Sequence, residues 1–260
     1  MSAITCLTPD WPAPANVRAA VTTRAGGVSH APYDSFNLAS HVGDDAQAVA
    51  KNRALLQQHL SLPEQPPWLT QVHGVDVLRR DGIQITDVSQ PYDACYSKQP
   101  NTVCAVLTAD CLPVLFCSRD GREIAAAHAG WRGLVAGVLE ATVAQFSCPS
   151  AEILAWLGPA IGPQSFEVGA EVREQFLERH HNCNESALVD CFVKGADDTH
   201  WLCDIYALAR WQLLVLGVVA VYGGGEDTLA DARRFYSYRR EGNTGRMASL
   251  VWRMPTYLPR

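Results

Sequence analysis

Three residues of this 260-residue chain can serve as nucleophile, base or metal ligand, and each stands where an apolar run breaks: His73, Cys111 and His128. Cys111 follows Asp110 within TVCAVLTADCLPVLFC (102–117), an apolar, β-branched stretch that reads as two strand pieces broken at Asp110-Cys111. Asp110 alone would raise a thiol pKa, so a thiolate here needs a positive partner, either a protonated imidazole or a metal ion. His128 is the expected partner, because it ends a strand in AAAHAGWRG beside the free N–H groups of a helix start. A buried histidine satisfied by a backbone carbonyl is the competing reading. His73 closes another strand in TQVHGVD. The separations of 38 and 17 residues are unlike the tight pairs of structural zinc sites, but a catalytic site gathers distant ligands and leaves one position open. Two imidazoles and a thiolate suit Zn²⁺, with copper as the soft-ligand alternative.

Arginines supply the second kind of chemistry. Arg24 precedes a Gly-Gly turn, Arg132 opens a helix, and Arg233, Arg234, Arg239, Arg240 and Arg246 cluster near the C-terminus. Guanidinium forks bind phosphate or carboxylate bidentately, which makes Arg24, Arg132, Arg239 and Arg246, together with Asp110, the candidate substrate-binding residues. For any single arginine, a solvated basic face is the alternative.

The elements that must position these groups alternate along the chain. Strands are expected at 17–23, 68–72, 75–79, in the two pieces of 102–117, and at 123–128, 152–157, 218–222 and 248–253. The 68–72 and 75–79 strands are joined by the His73-Gly74 turn. Helices are expected at 46–60 behind an Asp44 or Asp45 cap, at 131–146, at 168–180 and at 205–216. The apolar spacing of Leu134, Val135, Val138, Leu139, Val143 and Phe146 makes 131–146 the strongest helix expectation. Intermingled strands and helices with no internal repeat predict a single mixed α/β or α+β domain over 1–260, helices outside layered sheets.

Composition narrows the function classes. A net charge of −6 gives no overall positive field for nucleic acid or an anionic membrane, so an anionic substrate must meet a local arginine cluster. The opening residues MSAITCLTPDWPAPANVRAA lack a signal-peptide apolar run, and nowhere do 18 apolar residues run together, so a cytoplasmic location is expected. Nine cysteines without a CxxC pair fit free thiols in a reducing compartment, and Cys104, Cys117, Cys148 and Cys203 read as inert core residues. A multicopper oxidase would need closely spaced histidine pairs, whereas the chain has eight histidines and no His-x-His. The His-x-Glu and Pro-Cys-x-x-Cys signature of zinc nucleobase deaminases is absent as well.

Seven motifs occur in one order: TTRAGGVS (22–29), SFNLASHVGDD (35–45), LTQVHG (69–74), TADCLPVLF (108–116), AAAHAGWRG (125–133), LGPAIGP (157–163) and YSYRREGNTGRMASLVW (236–252). Together they resemble, across essentially the whole chain, the bacterial laccase-domain family, also called peptidoglycan-editing factor or multifunctional purine nucleoside phosphorylase. That family is distantly similar to the cytotoxic-necrotizing-factor deamidases. The resemblance implies an α/β/β/α layered sandwich with mixed sheets and a zinc triad on His73, Cys111 and His128. It also implies phosphorolysis of adenosine, inosine, guanosine and methylthioadenosine with inorganic phosphate as co-substrate, and adenosine deamination. A small nucleoside partner and a monomer are the corresponding expectations. Alternatives are a cysteine amidase acting on muropeptides with Cys111 as nucleophile and His128 as base, a copper polyphenol oxidase, and a noncatalytic binding protein. Where many family members carry Cys-Thr ahead of the YSYRR segment, this chain has Asp227-Thr228.

Overall fold

The computed structural model describes residues 3–80, 90–181, 185–195, 197 and 199–255. The first half of the chain runs β1 (Cys6–Leu7), β2 (Val17–Thr22), α1 (Ala46–Leu60), β3 (Val77–Arg79), β4 (Ala94–Ser97), β5 (Val103–Thr108), β6 (Leu112–Ser118), β7 (Ile124–Ala129), α2 (Trp131–Ala136) and α3 (Val138–Val143). The second runs β8 (Ile153–Leu157), β9 (Glu167–Gly169), α4 (Ala170–Arg179), α5 (Glu185–Val189), β10 (Phe192–Lys194), β11 (His200–Cys203), α6 (Ile205–Val215), β12 (Ala220–Gly223), α7 (Tyr238–Glu241) and β13 (Met247–Arg253).

Alternation along the strands builds the layers. In β5, Cys104 and Val106 point one way and Val103, Ala105 and Leu107 the other, because successive side chains of a strand leave opposite faces. The first pair joins Leu115, Cys117, Ile124 and Ala126 in an apolar layer between a four-stranded sheet, β1-β2-β13-β5, and a six-stranded sheet, β12-β8-β6-β7-β4-β3. The second set packs with Phe36, Leu38 and Leu56 beneath α1. On the far side of the six-stranded sheet, Val114, Phe116, Ala125 and Ala127 pack against Leu134, Leu139, Phe176 and Leu208 of the remaining helices. The result is the expected α/β/β/α order, with the six-stranded sheet mixed and the four-stranded sheet wholly antiparallel, plus a three-stranded antiparallel sheet β10-β11-β9.

Helix α1 has the expected limits, and Asp45 is its cap, its side chain accepting from Gln47 N. The break within 102–117 falls as expected, and it has a structural meaning: β5 and β6 belong to different sheets, so Asp110-Cys111 is the crossing between them.

Other expectations are corrected. The single helix over 131–146 is two short helices, α2 and α3, divided at Gly137, which sits at φ 104°, a region L side chains avoid. Both pieces pack on the same sheet face, so the apolar spacing runs on through the break. The helix expected at 168–180 starts at Ala170, because Val168 and Gly169 finish β9. The hairpin expected across His73-Gly74 does not form. Residues 68–72 make only an isolated bridge, Thr70 with Pro91, and β3 pairs in parallel with β4, a strand the sequence reading missed. Gln71 stands in for a neighbouring strand: its side-chain amide donates to Leu107 O and accepts from Leu107 N, both at 2.8 Å, along the open edge of β5.

Candidate active site

Register brings the three sequence-predicted residues together. Leu112 pairs with Ala129 and Pro113 with His128 across β6 and β7, so Cys111, one residue before β6, comes level with Gly130, one residue after β7. Ala125, Ala127 and Ala129 face the helix side, which turns His128 toward the end of the inter-sheet layer. On the other flank of β7, Ala94 pairs with Ala127, and the backbone N–H of His128 donates to Asp93 O at 2.7 Å. Asp93 and His128 therefore share a face. His73 arrives from the segment ahead of β3 with φ at 61°, one of four described non-glycine residues at positive φ; Asp110, at 83°, is another.

One donor atom from each of His73, Cys111 and His128 lies within 4.8 Å of the others, with Cys111 Sγ 3.6 Å from His73 Nε2. Zinc–nitrogen and zinc–sulfur bonds of about 2.0 and 2.3 Å at a tetrahedral angle set that N···S separation at about 3.5 Å, so Cys111 and His73 are already spaced to share an ion. Gly130 leaves room for this approach: a Cβ there would fall 2.8 Å from His73 Cδ2 and 2.9 Å from Cys111 Sγ. The three-residue set also leaves a fourth position for water or substrate.

Electrostatics favour the metal-binding form of the thiol. Burial pushes Cys111 up, but the charge and hydrogen bond of His128, aided by His73, outweigh it and bring the thiol down to about 6. Burial pulls His128 down, and the Cys111 charge together with the Asp93 hydrogen bond lifts it to about 9. In the ion-free protein the pair is a thiolate beside an imidazolium. The other described cysteines with resolved shifts move upward, Cys117 and Cys191 to about 12 through burial, in keeping with inert core thiols.

The triad floors a cavity of about 470 Å³. Trp131, Ile161, Phe166, Ile205 and Tyr238 provide apolar wall, while His41, Arg132, Arg239 and Arg246 provide polar and basic wall. Among the described residues none of these three arginines has a carboxylate partner. Arg132 lies over the Trp131 ring at 4.4 Å, Arg239 donates to Glu167 O, and Arg246 donates to Thr244 O and Gly245 O. Burial pulls Arg246 down while the charges of Cys111 and Asp110 push it back up. His41 is lowered by burial and by the charges of Arg246 and Arg53.

Two sequence-predicted residues have other engagements. Arg24 is not among the cavity-lining residues: it pairs with Glu241 at 2.7 Å, donates to Ala232 O and Asp34 O, and lies over Tyr236. Asp110 lines the cavity, but its carboxylate accepts from Thr228 Oγ1, Ser237 Oγ and Arg239 N at 2.6, 3.0 and 2.7 Å, tying the sheet crossing to the C-terminal segment. The influences that set the Cys111 thiol are burial and the two histidines, not the Asp110 charge that was expected to raise it. Asp227, at the position of the family's cysteine, accepts from Ser165 Oγ and from Leu229 N and Ala230 N, closing a turn beside Thr228.

Sequence reasoning missed Asp93 and set His41 aside. Asp93 sits in PYDAC, where its neighbour Cys95 is a buried residue of the inter-sheet layer, and only the β4–β7 register shows its place. His41 lies inside the SFNLASHVGDD motif, which was its one available signal.

A family model described as multi-copper polyphenol oxidoreductase laccase matches residues 18–254. A purine nucleoside phosphorylase of Pseudomonas aeruginosa is 54% identical over 246 residues, covering 95% of this chain and 97% of that one. The purine nucleoside phosphorylase YfiH of Escherichia coli is 52% identical, with 95% and 98% covered. A crystal structure of a Neisseria meningitidis protein assigned to DUF152 superposes with a TM-score of 0.89 at 46% identity, covering 96% of this chain and 99% of that one.

Proposed function

The chain belongs to the multi-copper polyphenol oxidoreductase laccase family, and from that premise we propose that it is a metal-dependent purine nucleoside phosphorylase whose site is the His73–Cys111–His128 cavity. The observation that carries the reading is the pairing of three carboxylate-free guanidinium groups with a metal-binding triad in one cleft. The high-identity relatives carry the same activity in their names. At about 470 Å³ the cavity falls within the range of roughly 300–1,000 Å³ usual for small-molecule sites.

His73, Cys111 and His128 would hold Zn²⁺, with copper as the alternative ion. When bound, the ion supplies a Lewis-acid charge at the open fourth position. Arg132, Arg239 and Arg246 would take inorganic phosphate, since guanidinium forks match its oxygens and, among the described residues, no carboxylate is paired with them. Trp131, Phe166 and Tyr238 offer faces for the purine ring. A phosphate oxygen then bonds to the ribose anomeric carbon as the glycosidic C–N bond breaks, and the purine leaves with the electron pair, its charge offset by the basic wall. Adenosine, inosine, guanosine and methylthioadenosine are the proposed substrates, with adenosine deamination as a further activity. Substrate-binding roles are proposed for Arg132, Arg239 and Arg246, at the phosphate, rather than for Arg24, which does not line the cavity, or Asp110, which lines it but whose carboxylate already accepts from Thr228, Ser237 and Arg239 N.

One observation favours a second reading. Without an ion, Cys111, His128 and Asp93 line up as nucleophile, base and orienting carboxylate, the layout of a cysteine amidase acting on muropeptides. Product analysis separates the two. Inosine incubated with the protein should give hypoxanthine and ribose 1-phosphate only when phosphate is present; free base without phosphate would mean glycosidic hydrolysis and overturn phosphorolysis, and no release in any metal state would overturn it and leave the amidase in front.

A further inference from the structure

Asp93 is buried, yet its carboxylate is the most heavily used acceptor near the triad. Oδ2 accepts from Val72 N at 3.1 Å and Gly74 N at 2.6 Å; Oδ1 accepts from His73 N at 2.9 Å and from His128 Nδ1 at 2.8 Å. One side chain thus grips both histidine-bearing segments. Three consecutive N–H groups wrap it only because His73 takes a left-handed turn, φ 61°, which is also what aims the His73 ring at Cys111. A carboxylate among four donors can only accept, so His128 must donate from Nδ1, and Nε2 is the nitrogen left to bind an ion once its proton is released. Gly74 is pinned as well, its N–H held by the same oxygen as that of Val72.

We propose that Asp93 is the positioning residue of the metal triad: it fixes the His128 tautomer and orientation through Nδ1 and holds His73 in place through the backbone. This rests on the reading of His73, Cys111 and His128 as metal ligands. The carboxylate is not among the groups that line the cavity. Asparagine cannot replace it, because an amide turned to accept from Val72 and Gly74 presents its NH₂ to His128 and demands the other tautomer, and the flipped amide sets its NH₂ against two backbone donors.

The test is zinc affinity, measured by competition with a chromophoric chelator on wild type, Asp93→Asn and Asp93→Ala, at a temperature where circular dichroism shows each variant folded. The inference expects a loss of about 10–100-fold in affinity for both variants, as for other carboxylates behind ligand histidines. A merely structural role would lower the melting temperature and leave the affinity of the folded protein within about twofold of wild type, which would overturn the inference. If neither variant folds, ¹⁵N NMR of zinc-loaded wild type decides: His128 protonated at Nδ1 and metal-bound through Nε2 supports it, and ligation through Nδ1 overturns it. Failure of the wild type to bind zinc or copper would instead remove the metal reading itself, and the inference with it.

Discussion

Gly130 faces the triad with nothing between. A methyl group on its Cα would stand 2.8 Å from His73 Cδ2 and 2.9 Å from Cys111 Sγ. Carbon contacts settle at about 3.5–4.0 Å, so in Gly130→Ala both ligand side chains must retreat by about 0.7 Å. The backbone is not the obstacle, since Gly130 has φ −64° and ψ 158°, open to alanine. Ligand distances tolerate only about 0.2 Å before a metal site loses its geometry, so zinc affinity should fall by at least about tenfold. A misplacement approaching 1 Å at the reacting centre lowers rates by about 10²-fold, which sets the expected loss in kcat/KM for inosine phosphorolysis at about 10–100-fold. Overpacking of this kind destabilises by about 1–3 kcal/mol, so the variant should remain folded. Gly133→Ala is the matched control: its new Cβ would come no nearer than 3.4 Å to Gly74 O and Val138 Cγ1, and it should bind zinc and turn over substrate like wild type. Zinc competition and steady-state kinetics on the two variants decide the matter. A Gly130→Ala protein with wild-type affinity and rate would refute the claim that ligand packing at this glycine sets the site.

In metal-stripped protein, the rate of Cys111 alkylation by iodoacetamide should rise with a midpoint near pH 6 rather than near the ordinary thiol value of 9.0; a midpoint above 8 would show that the imidazolium is not paired with the thiol. The linked stability has a defined sign. Depression of Cys111 to about 6 stabilises the fold fully above pH 9 and less as pH falls through 6, whereas elevation of His128 to about 9 stabilises it fully below pH 6.5 and less as pH rises through 9, so between pH 6.5 and 9 the two slopes oppose each other and the wild-type pair should show little net pH dependence, while Cys111→Ala should not. Thermal melts of the ion-free protein from pH 5 to 10, against Cys111→Ala, check this. Arg246→Met should raise the KM for phosphate by about 10-fold or more, the worth of one charge-assisted contact, with little change in melting temperature; an unchanged KM would take Arg246 out of the anion site. Thr228→Val removes the 2.6 Å hydrogen bond to Asp110 from a buried position and should destabilise by about 1–3 kcal/mol, read by urea melts, while leaving zinc affinity near wild type.

The clustering of His73, Cys111 and His128 was legible because each marks a break in an apolar pattern, and the break at Asp110-Cys111 proved to be the point where the chain leaves one sheet for the other. Helix α1 was legible too, since its cap and its apolar stripe are both local. Gly137 was not, because the two helices it separates keep one apolar stripe against one sheet face. β4 escaped notice since a strand of four residues leaves little pattern to read, although β3 beside it lies within the strand expected at 75–79. The arginines look alike in sequence; what divides them is tertiary. Arg24 meets Glu241, 217 residues away, and Arg234 meets Glu226 and Asp231, while Arg132, Arg239 and Arg246 meet no described carboxylate and face the cavity. Asp93 was invisible for a similar reason: three of its four partners are backbone N–H groups, which any sequence provides.

The most direct test of a metal-dependent phosphorylase centred on the triad is a loading titration. Metal-free protein is given increasing zinc in the presence of inosine and phosphate, and ribose 1-phosphate formation is followed beside a Cys111→Ala control. Activity that rises with zinc to a plateau near one ion per chain, and is absent from the control at every loading, is the expected result. Full phosphorolysis by the metal-free protein, or by Cys111→Ala, would contradict it.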